Sequence, residues 1–191
     1  MTFDAETHTY RDDDGRAYPS VTTIIAEVWP IDKRWYKEGS TNFGTEVHEL
    51  SALIDRRDAQ LEDFAGTEHY LALHAWSTFL QRTGGDLVAI ETPFIHLGLS
   101  FAGTLDRVLN VNNENILIDL KTGKPEKWHE LQLGGYAVGA KAKLGITIER
   151  AMTVHLRKEG GAAKPVIHDI EAASQAWVSL MRWRGYRGLF K

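Results

Sequence analysis

The chain has 191 residues, of which 43% are hydrophobic and 25% are charged, a composition typical of a soluble protein with one domain and a sizeable core. It contains no cysteine, which excludes disulfides, thiolate zinc sites and cysteine-ligated iron–sulfur clusters. The net charge of −4 argues against a uniformly basic nucleic-acid binder, although a local basic strip on an acidic protein still attracts a phosphate backbone.

The sequence shows no sign of export or of a membrane segment. No apolar run approaches the roughly 20 residues that cross a bilayer, and the N-terminus has no basic region followed by an apolar segment. We therefore expect a cytoplasmic protein without a secretion signal and without membrane contact.

The first 40 residues predict a small hairpin and a short helix. Residues 8–10 and 16–18 flank the acidic run 12–15, which we interpret as a solvated turn because it lacks the alternating aspartates and the later glutamate of a calcium loop. Ser20 is a suitable N-cap for a helix that runs to about residue 28. Trp35 and Tyr36 follow among basic residues, where they either stack on bases or pack in a local core, and the sequence leaves both open.

Two helices and a strand come next. His48 lies beside an apolar stripe with near-helical spacing, which predicts an amphipathic helix around it. A second helix is predicted over residues 66–82, and the pair Gly84 and Gly85 ends it. Residues 87–95 predict a strand that contains Glu91.

The centre of the sequence predicts a β-hairpin that carries two acids and a lysine. Residues 101–111 and 116–120 are apolar runs with β-character, and residues 110–115 between them have the composition of a turn. Asp106 lies in the first strand. In the second strand, Leu117, Asp119 and Lys121 share one face, whereas Ile116, Ile118 and Leu120 point into a core.

A carboxylate and an ammonium side by side in an apolar strand are costly to desolvate. An ion pair at a strand end is the simpler interpretation of Asp119 and Lys121 alone. With Asp106 on the neighbouring strand, however, two hard oxygen ligands suited to Mg²⁺ or Mn²⁺ come together, and the lysine is free to contact a phosphate or a water. This arrangement is typical of phosphodiester cleavage.

The remainder of the chain predicts a helix, two strands and a last helix. Gln132 and Tyr136 are neighbours on one face of a helix over residues 129–144, so the two side chains are able to act together. The alternative is a structural role, with a half-buried tyrosine on an amphipathic helix. Strands over residues 148–156 and 165–170 are joined by a basic turn. The last helix covers residues 171–184, and the cations at its end either complement the helix dipole or contact DNA.

The order of these motifs resembles the PD-(D/E)xK nuclease superfamily, and within it the RecB-type and phage-type exonuclease branch. The match consists of Gly-x-x-Asp ending at Asp106, Asp-x-Lys-Thr-Gly with Asp119 and Lys121, and Gln-x-x-x-Tyr with Gln132 and Tyr136. It spans about residues 44–136.

The resemblance implies an α/β fold with a mixed central β-sheet of about five strands flanked by helices, as in the core of restriction endonucleases. We expect a single nuclease domain, with an N-terminal hairpin and helix over residues 1–40, a catalytic core over residues 41–170, and a C-terminal helix and basic tail over residues 171–191.

The resemblance also implies roles for individual residues. His48, in Gly-Thr-x-x-His, matches a histidine metal ligand, and with Asp106, Asp119 and the backbone carbonyl of Leu120 it is expected to bind one or two Mg²⁺ or Mn²⁺ ions. Glu91 is a candidate accessory acid, either as a metal ligand or as a support for one, and the alternative is an exposed charge on an edge strand. Many relatives also carry a glutamate near the histidine, and the candidates for it here are Glu46 and Glu49. Gln132 and Tyr136 are expected to orient the catalytic residues or to contact DNA, and the expected DNA-binding residues are Trp35, Tyr36, Lys124, Lys127, Arg157 and Lys158.

The activity that the resemblance implies is a metal-dependent DNA nuclease. An exonuclease of DNA recombination, repair or replication is expected, in a bacterial or phage-infected host cell, with a helicase, a recombinase or a single-strand annealing protein as a partner. The alternatives are a structure-specific endonuclease and a catalytically silent DNA-binding or assembly subunit. The presence of both acids and the lysine favours an active enzyme.

Overall fold

The computed structural model describes residues 1–4, 9–29 and 38–188. In chain order the elements are β1 (Thr2–Asp4), β2 (Thr9–Arg11), β3 (Ala17–Pro19), α1 (Val21–Val28), α2 (Glu38–Asp55), a short 3-10 turn (Leu61–Phe64), α3 (Tyr70–Thr83), β4 (Asp86–His96), β5 (Phe101–Val111), β6 (Glu114–Lys121), α4 (Trp128–Leu144), β7 (Arg150–His155), β8 (Lys164–His168) and α5 (Ile170–Gly188).

The main sheet has five strands in the order β4-β5-β6-β7-β8. Strands β6 and β7 are parallel and the other neighbours are antiparallel, so the sheet is mixed. Helix α4 connects the parallel pair, because parallel neighbours need a long crossover. The predicted mixed sheet of about five strands with flanking helices is confirmed.

Helices cover both faces of this sheet. Leu117 packs in one core cluster with residues of α1, α4 and α5, whereas Ile118 and Leu120 pack in a second cluster with residues of α2 and α3. The alternation of β6 predicted only the face with Ile116, Ile118 and Leu120 in a core. Leu117 is nevertheless fully buried, because the second face lies under α4.

The N-terminal hairpin forms a separate three-stranded sheet of β1, β2 and β3. It is attached to the main sheet by a parallel bridge between Ser20 and Ala102 and by the hydroxyl contact of Tyr10 with Thr104 at 2.9 Å. Ser20 is the N-cap of α1, since its hydroxyl accepts the backbone N–H of Thr23 at 3.0 Å. The hairpin is thereby held against one side of β5.

The predicted boundaries differ from the structure mainly before α3. That helix begins at Tyr70 and not at Gly66, because Gly66 adopts a φ of 84°, which lies outside the helical region. Among the described helices, none combines the length and the apolar character that a bilayer-spanning segment needs.

Candidate metal centre

Three elements bring one imidazole and two carboxylates together at one region of the sheet. His48 comes from α2, Glu91 from β4 and Asp106 from β5, and one ligand atom of each lies within 4.8 Å of the others. The Nδ1 atom of His48 is 3.4 Å from Oδ2 of Asp106 and 3.6 Å from Oε1 of Glu91. One nitrogen and two oxygens in this arrangement match the ligand preferences of Mn²⁺, and the oxygens match those of Mg²⁺.

The contacts of His48 leave a place for a proton or a metal ion in this cluster. Its Nε2 atom is 3.1 Å from the carbonyl oxygen of Leu120, and a carbonyl only accepts, so Nε2 carries the proton. In the neutral imidazole, Nδ1 then presents a lone pair to the carboxylates of Asp106 and Glu91. That contact is repulsive unless a proton or a metal ion lies between the three groups.

The pKa values of the cluster reflect the same concentration of negative charge. Burial lowers the pKa of His48, but the charge of Asp106 and the hydrogen bond and charge of Glu91 outweigh it and raise the pKa to about 9. Burial, with the nearby charges of Asp119 and Glu91, raises the pKa of Asp106 to about 7. A divalent cation neutralises this excess of negative charge.

Asp119 and Lys121 extend the cluster along β6. They lie two residues apart on one face of the strand, with Nζ of Lys121 2.6 Å from Oδ2 of Asp119. Asp119 is 1% exposed, and in the described part of the chain its Oδ2 receives no aligned hydrogen bond. The backbone N–H of Leu120 donates to Oδ2 of Asp106 at 2.8 Å and so links the two acidic strands. The close contact of the buried Oδ2 of Asp119 is thus with a cationic ammonium, and such surroundings also suit a metal ion.

Comparison with known proteins agrees with this geometry. Residues 33–183 match the profile of the PD-(D/E)XK nuclease superfamily, which is most of the chain. The chain belongs to this superfamily. Among curated protein sequences, none matches the chain.

One solved structure shows the same fold. A protein of Eubacterium rectale, described by its name as a candidate exonuclease, has a TM-score of 0.56 and 11% identity, covering 99% of this chain and 86% of its own. The structure of SSO0001 is 15% identical over 77% of this chain and 74% of its own, with a TM-score of 0.38, which is too low to establish a common fold.

A buried arginine that was not predicted as a site residue lies beside the candidate metal ligands. Arg107 is fully buried and donates to four acceptors on α2, β4 and β5. These are Oδ2 of Asp55 at 2.6 Å, Oε1 of Glu91 at 2.7 Å, the carbonyl of Asp106 at 2.7 Å and Oγ of Ser51 at 2.8 Å.

The consequence of the Arg107 contacts is that Glu91 is held beside His48. Glu91 has a φ of 40°, an unfavourable value for a residue with a side chain, and such conformations persist where surrounding contacts fix them.

The sequence offered one signal for Arg107. It is a charged residue inside the apolar run 101–111, directly after Asp106.

The structure does not bring Glu46 into this cluster. It lies two residues before His48 on α2, and at 3.6 residues per turn this spacing puts the two side chains on different sides of the helix. Oε2 of Glu46 is instead 2.7 Å from Nε2 of His69, in a group that also includes Glu68. Glu91 is the acid that accompanies His48 and Asp106.

Gln132 and Tyr136 lie on one face of α4, as their spacing predicts, and the structure shows that this face is buried. Nε2 of Gln132 donates to the hydroxyl of Tyr136 at 2.9 Å, and both side chains are buried. Burial, with the charges of Asp119 and Asp106, raises the pKa of Tyr136 well above its ordinary value. The phenol therefore keeps its proton beside the acidic cluster. Its role in DNA contact or in orienting the site stays a prediction.

The predicted DNA-binding residues are spread over separate places. Lys124 and Lys127 are exposed in the segment between Lys121 and α4. Arg157 is exposed in the turn between β7 and β8, where Lys158 forms an ion pair with Glu68. Trp35 and Tyr36 lie outside the described residues, as do the last residues of the predicted basic tail.

Proposed function

We propose that this protein is a divalent-metal-dependent deoxyribonuclease, and more specifically an exonuclease that acts in DNA recombination, repair or replication. The observation that carries the proposal is the convergence of His48, Glu91 and Asp106 next to the Asp119 and Lys121 pair. Membership of the PD-(D/E)XK nuclease superfamily supports a phosphodiester substrate.

In this proposal His48, Glu91, Asp106 and Asp119 hold one or two Mg²⁺ or Mn²⁺ ions. The carbonyl oxygen of Leu120 accepts a hydrogen bond from Nε2 of His48, and its second lone pair is available to a metal ion. When bound, such an ion polarises the scissile phosphate and lowers the pKa of an attacking water.

The protein's own groups then position the reactants. Lys121 carries an ammonium that is anchored by Asp119 and orients the attacking water or stabilises the charge that develops on the phosphate. Arg107 holds Glu91 in place from below, so the acid does not swing away when the neighbouring charges change. The low exposure of Asp106 and Asp119 keeps these electrostatic interactions strong.

The proposal of an exonuclease rests on the order of the motifs and on the name of the Eubacterium rectale protein that shares the fold. The test is a cleavage assay with end-labelled single-stranded DNA, blunt duplex DNA and closed circular DNA. We expect loss of the linear substrates in Mg²⁺ or Mn²⁺ and persistence of the circle. Rapid loss of the circle would assign an endonuclease instead.

Two variants test the catalytic residues in the same assay. Asp119→Asn and Lys121→Ala are each expected to lower the cleavage rate by roughly 100-fold or more, the usual effect of removing a transition-state charge contact. Lys141→Ala, an exposed lysine at the end of α4, is the matched control and should cleave at the wild-type rate. Cleavage that continues in excess EDTA, or in Asp119→Asn at full rate, contradicts the assignment.

A further inference from the structure

A cavity of about 380 Å³ lies directly beside the candidate metal ligands. Glu91 and Asp106 are among the residues that line it. Phe3 and Tyr10 of the N-terminal hairpin also line it, and so does Thr22 of α1. A molecule that fills this cavity would therefore meet both carboxyl groups and aromatic residues.

The aromatic wall is fixed in position. The rings of Phe3 and Tyr10 are 4.5 Å apart with an angle of 34° between their planes. Tyr10 is 4% exposed, and its hydroxyl contacts Oγ1 of Thr104 on β5. Phe3 in contrast is 48% exposed, so the pair combines a buried anchor with an accessible ring. An accessible ring on a rigid support is suited to stack on a nucleic-acid base.

The size of the cavity limits what enters it. A volume of about 380 Å³ is near the lower end of the range of roughly 300–1,000 Å³ that small-molecule sites occupy. One nucleoside is a ligand of this class, whereas a base pair within a duplex is too large for it. A base that enters such a pocket has left its stack, as in enzymes that act on extruded bases.

We propose that this cavity binds the nucleoside attached to the scissile phosphate, with its base against Phe3 and its phosphate at a divalent ion that Glu91 and Asp106 would hold. The inference rests on the proposed nuclease function and adds to it the state of the substrate: the strand is unpaired at the position that is cut. The N-terminal hairpin, which lies apart from the metal ligands in the sequence, becomes part of the substrate site.

The first experiment measures binding without cleavage. Deoxyadenosine 5′-monophosphate and the 3′-monophosphate are titrated calorimetrically into the full chain in Mn²⁺. We expect one of them to bind, and Phe3→Ala to weaken that binding by about 5- to 150-fold, the loss of one base–aromatic stack. Phe3→Trp should restore it, and Tyr186→Ala, an exposed aromatic residue of α5 outside the cavity lining, should leave it unchanged.

The alternative outcomes of the binding experiment are distinct. Binding that is equal in Phe3→Ala and wild type, or no binding of either nucleotide, overturns the subsite. Circular dichroism of Phe3→Ala checks that the hairpin variant is folded, and the Phe3→Trp variant keeps the test valid if Phe3→Ala unfolds. Because this assay needs no catalysis, its result does not depend on whether the protein cleaves DNA.

The second experiment compares duplex ends that differ in fraying. Cleavage of a single strand should exceed cleavage of a duplex with G·C-clamped ends by roughly tenfold or more, because opening a pair costs a few kcal/mol. Duplexes with unpaired ends should react like the single strand. Equal rates on clamped and unpaired ends overturn the inference about the subsite but remain consistent with a nuclease. Absence of cleavage on every DNA substrate contradicts the proposed function itself.

Discussion

At the scale of single residues, the buried guanidinium of Arg107 connects several groups around the candidate metal ligands. Burial of a guanidinium is costly unless its donors are paired, and here they reach the carboxylates of Asp55 and Glu91, the hydroxyl of Ser51 and a backbone carbonyl. Trp76 also donates to Asp55, at 3.0 Å, so the acid is held from two sides. The network connects α2, α3, β4 and β5.

Removal of Arg107 is expected to destabilise the protein and to weaken metal binding together. Arg107→Met leaves two carboxylates without their partner and should lower the free energy of unfolding by about 3–5 kcal/mol. Arg107→Lys keeps the positive charge but not the forked set of donors. Its stability and its metal affinity should therefore lie between those of Arg107→Met and the wild type. Urea unfolding gives the stability, and calorimetric titration with Mn²⁺ gives the affinity.

The matched control for Arg107 is Arg150→Met on β7. Arg150 is exposed and lies 3.7 Å from Glu114, a surface pair worth at most about 1 kcal/mol. Equal losses of stability in Arg107→Met and Arg150→Met, or unchanged Mn²⁺ affinity in both Arg107 variants, would refute the positioning role.

His129 gives a second prediction at the scale of one residue, and it concerns pH. Burial, followed by the nearby positive groups Lys121, His155 and His168, lowers the pKa of His129 to about 3. Its Nδ1 also accepts the backbone N–H of Glu126 at 3.2 Å, which requires the unprotonated nitrogen. The folded protein therefore keeps His129 neutral at pH values where the unfolded chain protonates it.

The sign of the pH effect follows from this difference. Below an unfolded pKa of about 6.5 the unfolded state takes up a proton that the folded state does not, so the free energy of unfolding falls as the pH drops from about 6.5 towards 3. Between pH 7 and pH 5 we expect His129 to account for roughly 1–2 kcal/mol of this fall. Urea unfolding at the two pH values should show a correspondingly smaller fall in His129→Gln.

His74→Gln is the control for the pH experiment, because His74 is an exposed histidine of α3. It should keep the full wild-type fall in stability between pH 7 and pH 5. An identical fall in His129→Gln would show that other groups carry the acid sensitivity.

At the scale of secondary-structure elements, close packing of α4 sets the position of Gln132 and Tyr136. A Cβ atom at Gly134, between these two residues, would lie 2.2 Å from the backbone oxygen of Ala173 on α5. A Cβ atom at Gly139 would lie 2.3 Å from the ring of Phe94 on β4. The two glycines allow α4 to approach both neighbours more closely than any other residue would.

Substitution of Gly134 tests this packing. Gly134→Ala is expected to lower the free energy of unfolding by about 1–3 kcal/mol, because the backbone of α5 must move to admit the methyl group. Gly185→Ala on α5, where nothing lies within 4 Å of an added Cβ, should instead raise it by about 0.5–1 kcal/mol through helix propensity. Urea unfolding measures both, and stabilisation by both substitutions would show that α4 and α5 are not closely packed.

The hairpin of β5 and β6 was predictable from sequence because its signals are local. The alternation of polar and apolar residues around Asp119 and the turn composition of residues 110–115 can both be recognised in a short stretch of sequence. The network of Arg107 was not predictable in this way, since Asp55 lies 52 residues away and only the fold brings the two together. Similarly, Glu46 and Glu91 were both possible accessory acids, and only the fold shows that Glu91 accompanies His48 whereas Glu46 lies with Glu68 and His69.

At the scale of the whole molecule, the candidate metal centre joins elements that are distant in the sequence. His48 lies on α2, Glu91 on β4 and Asp106 on β5, and the carbonyl of Leu120 on β6 contacts the histidine. An ion held by these groups binds the folded state, since the unfolded chain does not hold them together. Metal binding is therefore expected to stabilise the whole domain and not only the site.

The last prediction is the thermal shift that this linkage produces. At an Mn²⁺ concentration about 100 times the dissociation constant, the stabilisation is about 2.7 kcal/mol, which corresponds to a rise in melting temperature of roughly 5–10 °C for a domain of this size. Asp106→Asn keeps the shape of the side chain but removes a charged ligand, and it should abolish the shift. Asp86→Asn, an exposed acid at the start of β4, should retain it. A melting temperature that does not respond to Mn²⁺ or Mg²⁺ would favour a catalytically silent subunit. A shift that persists unchanged in Asp106→Asn would place the metal elsewhere.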